Sequence, residues 1–339
     1  MITNGLVDIQ VNGFAGVDFN DPQLTPEAMD RALEAMLATG VTTCLPTIIT
    51  AHRNELEARF TALDRAVSES RLGPLMCPGY HLEGPFLNPA DGFSGCHPAN
   101  AMIGADPALV TALQKLIERP ILLVTVAPEV HGGIEFVKAM RADNRLVSIG
   151  HSSATSQLVS AAADAGAGLS THLGNGLPQI LPKLDNPLFA QLAEDRLLAT
   201  FIADGIHMPA YVLKSLIRAK GFERSALVTD AVAAAAAPTG TYAFAGMNVD
   251  RSDDGTVSQS GATGLAGSSL CLDDAVRNLV RWNIATFEQA VEMASTRLLE
   301  VLAPVLTARG INLAESELDW SDAMAITRVR IGNEERFFR

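Results

Sequence analysis

Two histidines and two carboxylates, each just past a short apolar run, are the side chains best placed to do chemistry in this chain. His151 follows Leu146–Ile149 in Ile149-Gly150-His151-Ser152, and His172 follows the run 167–169 in Thr171-His172-Leu173. Glu83 stands in His81-Leu82-Glu83-Gly84-Pro85, and Asp230 in Val228-Thr229-Asp230-Ala231. Imidazoles and carboxylates are donors for a zinc-type ion. The set points to hydrolysis, with three groups and a water around the ion and the last carboxylate taking the proton. A lone strand-end histidine is ordinarily a hydrogen-bonded core group. Two of them on successive strands, together with Glu83 and Asp230, favour the metal reading.

Residues this far apart meet when they sit at the carboxyl ends of neighbouring parallel strands. Between the two histidines lies an alanine-rich stretch, 154–166, of helical length and closed by a glycine, so the local unit is strand, helix, strand. The same alternation fills the chain. Strands are expected at Leu6–Val11, 41–45, 75–81, Ile121–Val126, 197–202 and 225–228. Helices are expected at Pro26–Ala38, 55–69, 106–119, 134–142, 189–193 and 211–220, followed by 270–283, 286–294 and 298–308. Pro46-Thr47 closes the second strand in this reading.

The fold class is therefore α/β, a (β/α)8 TIM-like barrel with a reduced small β element from the chain ends and an insertion. The barrel is assigned to 6–300. The small β insertion falls near 239–264, where Asp253-Asp254-Gly255 reads as a hairpin turn. Residues 301–339 form a C-terminal helical and β remnant of a reduced second domain. On the first strand Asp8, Gln10 and Asn12 lie two apart and point the same way, toward the barrel mouth or interior. Polar strand-end residues near a turn are the equal alternative. The irregular loop 88–103 carries Cys96-His97-Pro98 and belongs to the catalytic side.

The chain has 339 residues, enough for a barrel of about 250 with appended segments. A net charge of −13 argues against a nucleic-acid partner, which needs a basic face. Cys44, Cys77, Cys96 and Cys271 show no paired spacing and read as free thiols of a cytoplasmic protein. The start lacks a basic and apolar leader, and the most apolar run, 231–237, is far shorter than the roughly 20 residues that cross a bilayer. No membrane partner is expected.

Taken in order, these motifs resemble the N-acetylglucosamine-6-phosphate deacetylase family of the amidohydrolase superfamily. The matching stretches are Val7-Asp8-Ile9-Gln10-Val11-Asn12-Gly13, Leu45-Pro46-Thr47, His81-Leu82-Glu83-Gly84-Pro85-Phe86-Leu87, Ala127-Pro128-Glu129, Ile149-Gly150-His151-Ser152, Thr171-His172-Leu173, Ala203-Asp204-Gly205-Ile206-His207, Val228-Thr229-Asp230-Ala231 and Leu265-Ala266-Gly267-Ser268. The resemblance implies removal of an acetyl group from an N-acetylated amino sugar, N-acetylglucosamine 6-phosphate first. It implies Glu83, His151 and His172 as ligands of one divalent ion, zinc before Fe2+, Mn2+ or Co2+. Asp230 becomes the acid/base, and His97 the histidine that polarises the substrate carbonyl. Asn175, Gly176, His207, Gln10 and Asn12 fall at substrate-binding positions; Gln10 and Asn12 replace the His-x-His of most amidohydrolases and go with a single-metal site. A homodimer is expected. The loop after His172 departs from the family: it carries Gly174-Asn175-Gly176-Leu177, and Lys183 stands where a phosphate-binding arginine would fall. Lysine pairs with phosphate as a point charge without the bidentate fork. The same hydrolytic site on an unphosphorylated sugar, or on another amide or ester, and a non-catalytic relative on the same fold are the alternatives.

Overall fold

The structure, a computed structural model, describes residues 1–262 and 264–338. Eight parallel strands lie side by side in chain order: Leu6–Val11, Val41–Ile49, Tyr80–Glu83, Ile121–Val126, Leu146–Ile149, Leu169–Ser170, Leu198–Phe201 and Ser225–Leu227. The sheet closes where the continuation of the eighth strand meets the first. Val11 bridges Ala231, Asn12 N donates to Ala231 O at 2.7 Å, and Asp230 N donates to Gln10 O at 2.9 Å. Helices alternate with the strands, as the periodicity requires. In Pro26–Ala38, Thr25 Oγ1 accepts from Ala28 N at 3.2 Å, Pro26 opens the first turn, and Met29, Ala32, Leu33, Met36 and Leu37 form the buried stripe. Ser156–Ala165 starts at Thr155 and stops at Gly166 in the left-handed conformation.

Three elements differ from the sequence expectation. The strand expected over 75–81 is confined to Tyr80–Glu83, because Gly73–Met76 before it forms a short helix with Pro74 in its first turn. The second strand runs through Pro46 to Ile49. Its pairing with the first strand is irregular between Asp8 and Val11, and Val11 N turns to Thr47 Oγ1 at 3.0 Å, so no ladder bond is asked of the proline. The helix expected over 106–119 ends as Pro107–Gln114. The Gln114 side chain takes Ile121 N at 3.0 Å and donates to Arg119 O at 3.1 Å, bending the chain into the next strand.

Outside the barrel, Ile2–Thr3 pairs antiparallel with Ser316–Trp320, and Ile326–Ile331 and Glu334–Phe337 extend a four-stranded sheet. Trp320 anchors it, donating from Nε1 to Thr3 Oγ1 at 2.9 Å and packing edge-on against Phe287. A second, three-stranded antiparallel sheet comprises Gly240–Phe244, Met247–Arg251 and Val257–Gln259. Its first turn is gripped from the barrel. Asp18 Oδ2 accepts from Ala245 N at 2.7 Å, and Arg59 donates to Ala245 O at 3.0 Å. Phe244 is thereby held in a small apolar core with Ile49 and Val232. Among the described residues, no helix is long and apolar enough to cross a membrane.

Candidate active site

Glu83 is the last residue of the third strand, and His151, His172 and Asp230 follow the fifth, sixth and eighth strands by two or three residues. All four open on one cavity of about 400 Å³. His151, His172 and Asp230 each adopt positive φ, at 51°, 30° and 50°. Three non-glycine residues held this way are strained turns that the surrounding packing must enforce. Beneath them a line of polar side chains crosses the barrel. His81 Nε2 lies 2.8 Å from Thr125 Oγ1, Thr125 Oγ1 lies 2.9 Å from Thr171 Oγ1, and Thr171 Oγ1 lies 2.5 Å from Ser148 Oγ. Burial pushes His81 down to about 4, so it serves this line as a neutral ring.

Glu83 Oε1 is 3.1 Å from His172 Nε2 and 3.4 Å from His151 Nε2. Ligand atoms around a tetrahedral ion with bonds of about 2.0–2.1 Å stand about 3.3–3.4 Å apart. His151 Nδ1 is fastened to Phe93 O at 2.7 Å, which leaves Nε2 buried with no hydrogen-bond partner among the described residues. An imidazole anchored through one nitrogen and bare at the other is the usual state of a metal-binding histidine. The donor set therefore fits a divalent cation. Burial pushes the Glu83 carboxyl up, but the His151 and His172 rings beside it hold it well below the usual carboxylate range. His97 also joins the group: Glu83, His97 and His151 offer ligand atoms all within 4.8 Å of one another. Its Nδ1 lies 2.9 Å from Thr50 Oγ1, and its ring stands 4.5 Å from that of His151.

Gln10 Nε2 bridges the two carboxylates, donating to Glu83 Oε2 at 3.1 Å and Asp230 Oδ1 at 3.3 Å. Asn12 Nδ2 donates to the same Asp230 oxygen at 2.7 Å. Burial first, and the Glu83 charge next, push Asp230 up to about 6, where a carboxyl can both take and return a proton near neutrality. Gln10 is thus a support buried under the site, whereas Asn12 also lines the cavity. Asn175, Gly176 and His207 line it too. Lys183 lies exposed on the following loop and is not among the lining residues.

Sequence reasoning did not single out four supporting groups. Thr50 holds His97, and Thr200 Oγ1 accepts from His172 N at 2.8 Å. Asp204 Oδ2 holds His207 Nδ1 at 2.6 Å, a link the Asp204-Gly205-Ile206-His207 spacing could have signalled. Glu129 accepts from Ser152 Oγ at 2.7 Å and Asn88 Nδ2 at 2.9 Å, and also holds Ser153 N, tying the loop after His151 in place.

Comparison with known proteins shows the family. No family model matches the chain. It is 33% identical over 290 residues to the N-acetylgalactosamine-6-phosphate deacetylase of Escherichia coli O157:H7, covering 85% of this chain and 74% of that one. It is 30% identical over 318 residues to the N-acetylglucosamine-6-phosphate deacetylase of Lysinibacillus sphaericus, covering 90% and 77%. The structure of a mutant N-acetyl-D-glucosamine-6-phosphate deacetylase from Mycobacterium smegmatis, in complex with N-acetyl-D-glucosamine-6-phosphate, superposes with a TM-score of 0.87 at 26% identity, over 98% of this chain and 86% of that one. With its strand-end carboxylates and histidines gathered at one end of a closed parallel sheet, the chain belongs to the N-acetylglucosamine-6-phosphate deacetylase family of metal-dependent amidohydrolases and is a hydrolase of amide bonds.

Proposed function

We propose that this protein hydrolyses the acetamide of an N-acetylated amino sugar, releasing acetate and the free amine. N-acetylglucosamine 6-phosphate, the substrate its relatives are named for, is the reference compound. The observation that carries the reading is the convergence of Glu83, His151 and His172 at ligand spacing, with Asp230 linked to Glu83 through Gln10. Glu83, His151 and His172 are the ligands of one ion, and two imidazoles with one carboxylate suit zinc. When bound, the ion lowers the pKa of a water toward about 7 and polarises a carbonyl oxygen. Asp230 takes the proton from the attacking water. Asp230 then returns it to the sugar nitrogen, which leaves poorly as an anion. Gln10 and Asn12 keep Asp230 aimed, since both donate to Oδ1 and leave Oδ2 to the reaction.

His97 stabilises the charge that develops on the acyl oxygen, provided its proton sits on Nε2. A second reading has its own support. Thr50 Oγ1 also donates to Glu83 O at 3.3 Å, which places the His97 proton on Nδ1 and makes Nε2 a lone pair aimed at the ligand group. Metal content of His97→Ala separates the two: normal content supports the carbonyl role, and halved affinity or worse supports ligation.

The four free cysteines fit a reducing compartment, and we assign the protein to the cytoplasm. We assign it a homodimeric state, supported by the exposed apolar side chains Ile180, Leu184, Phe189 and Tyr211 near the cavity loop. The test of the function is acetate release by the zinc-loaded protein, with Asp230→Asn beside it. The variant keeps its zinc and loses about 10³-fold or more in kcat. Full turnover in that variant ends the proposal.

A further inference from the structure

The wall of the cavity is uneven. The residues it draws from 91–95 and 174–179 are mostly polar or glycine, suited to sugar hydroxyls. The side next to Glu83 is apolar. Ile49 stands directly across from Glu83 where the second and third strands pair, Cys96 precedes His97, and Phe244 reaches the cavity from the three-stranded sheet. Ile49 and Phe244 are each only 1% exposed and share one small core, on which Cys96 packs. Val232, two residues past Asp230, belongs to the same core. The apolar patch therefore bridges the neighbourhoods of the two site carboxylates.

Phe244 is fixed in place from outside the site. It ends the strand Gly240–Phe244, after which Ala245 and Gly246 turn the chain with φ of 51° and 87°. Two left-handed residues in succession are what a two-residue hairpin turn uses. Both backbone polar groups of Ala245 are taken by the barrel, N by Asp18 Oδ2 and O by Arg59. Arg59 comes from the helix Arg53–Glu69 and is buried; neither it nor Asp18 lines the cavity. With the carbonyl carbon between the ion and Asp230, and His97 at the acyl oxygen, the rest of the acyl group faces the apolar patch. A methyl group meets it without strain, whereas a longer chain must displace a ring seated in a packed core. One extra methylene in a close apolar pocket is worth about 10- to 200-fold in kcat/KM.

Resting on the amide hydrolysis proposed above, we infer that Phe244, held by the Asp18 and Arg59 clamp, sets the length of acyl group the site removes, and that Arg59 is a positioning residue acting through it. The zinc-loaded full-length protein is assayed with the N-acetyl, N-propionyl and N-butyryl derivatives of glucosamine 6-phosphate. The amine released is the same from all three, so the assay reads the acyl group alone. The expected kcat/KM is lower for propionyl than for acetyl by about tenfold or more, and lower again for butyryl. Phe244→Leu shrinks the acetyl-to-propionyl ratio by about fivefold or more. Ile49→Val widens the same wall with least risk to folding and moves the ratio the same way. Arg59→Met shrinks it by about threefold or more without touching the cavity, and Arg59→Lys, which can still donate to Ala245 O, restores it. A purely structural arginine would change the urea midpoint and leave the ratio alone. Equal use of acetyl and propionyl by the native protein overturns the inference and leaves the deacetylase reading intact. A ratio unmoved in both folded wall variants overturns it as well, and one unmoved only in Arg59→Met overturns the clamp. Release from none of the three compounds removes the proposed function and this inference together.

Discussion

Gly176→Ala tests the site without touching a proposed ligand. Gly176 has φ of +62°, and a Cβ built there would lie 2.6 Å from His151 Nδ1. An ordinary contact needs about 3.5 Å, so the ring must retreat by about 0.9 Å or the loop must move by as much. Either motion acts on the bond from Nδ1 to Phe93 O, 2.7 Å in the native protein, and swings Nε2 away from Glu83. Loss of such an orienting contact typically costs tenfold to hundredfold in metal affinity, or about 1.4–2.7 kcal/mol. Competition of the protein with a fluorescent zinc chelator measures it. Gly174→Ala is the control: its φ is +100°, and its Cβ would meet Met208 Cε at 2.7 Å, the free end of a flexible side chain. The control should lose about 1 kcal/mol of stability to backbone strain and keep its zinc affinity. Unchanged zinc affinity in Gly176→Ala, with normal folding, would refute the claim that the anchored His151 ring organises the centre.

Glu83→Gln should lower zinc content by more than tenfold, because an amide oxygen replaces a charged ligand; full occupancy would show the ligand set to be wrong. Burial first raises Asp8 to about 7 in the folded chain, above its unfolded value. The stability this group contributes is present below about pH 4 and is lost as pH rises through 7. Urea midpoints at pH 5 and pH 8 should therefore differ less in Asp8→Asn than in the wild type, and equal differences would contradict the assignment. Lys220 is buried and donates to Gln191 O at 3.0 Å and Glu194 O at 2.7 Å, at the end of Pro187–Ala193. Lys220→Met should cost about 2–4 kcal/mol in chemical denaturation; a loss under about 1 kcal/mol would mean that water takes over those carbonyls.

The barrel was legible because its signals are local. Ile121–Val126 is an apolar run bounded by prolines, Leu6–Val11 follows a glycine and carries β-branched Val7, Ile9 and Val11, and Pro26–Ala38 carries its own start and stop. The meeting of Glu83, His151, His172 and Asp230 at one cavity was legible for the same reason, each being a polar side chain at a strand end. What stayed hidden depends on contacts distant in sequence. The strand Ile2–Thr3 has two residues and exists only because Ser316–Trp320 pairs with it. Pro46 reads as a stop until the irregular pairing opposite it is seen. Thr50, Thr200 and Glu129 are ordinary residues in sequence and become supports of the site only once neighbouring strands bring them beside His97, His172 and Ser152.

The bonds that complete the cylinder are also those that seat the proposed proton carrier. Asp230 N reaches Gln10 O, and the next residue, Ala231, receives Asn12 N, while the side chains of Gln10 and Asn12 hold the Asp230 carboxylate. Structural integrity and acid/base geometry thus share one seam. Loosening it should degrade turnover before the protein unfolds. Hydrogen–deuterium exchange at the amides of Asn12 and Asp230 would report that early, reversible failure while bulk melting curves still look normal.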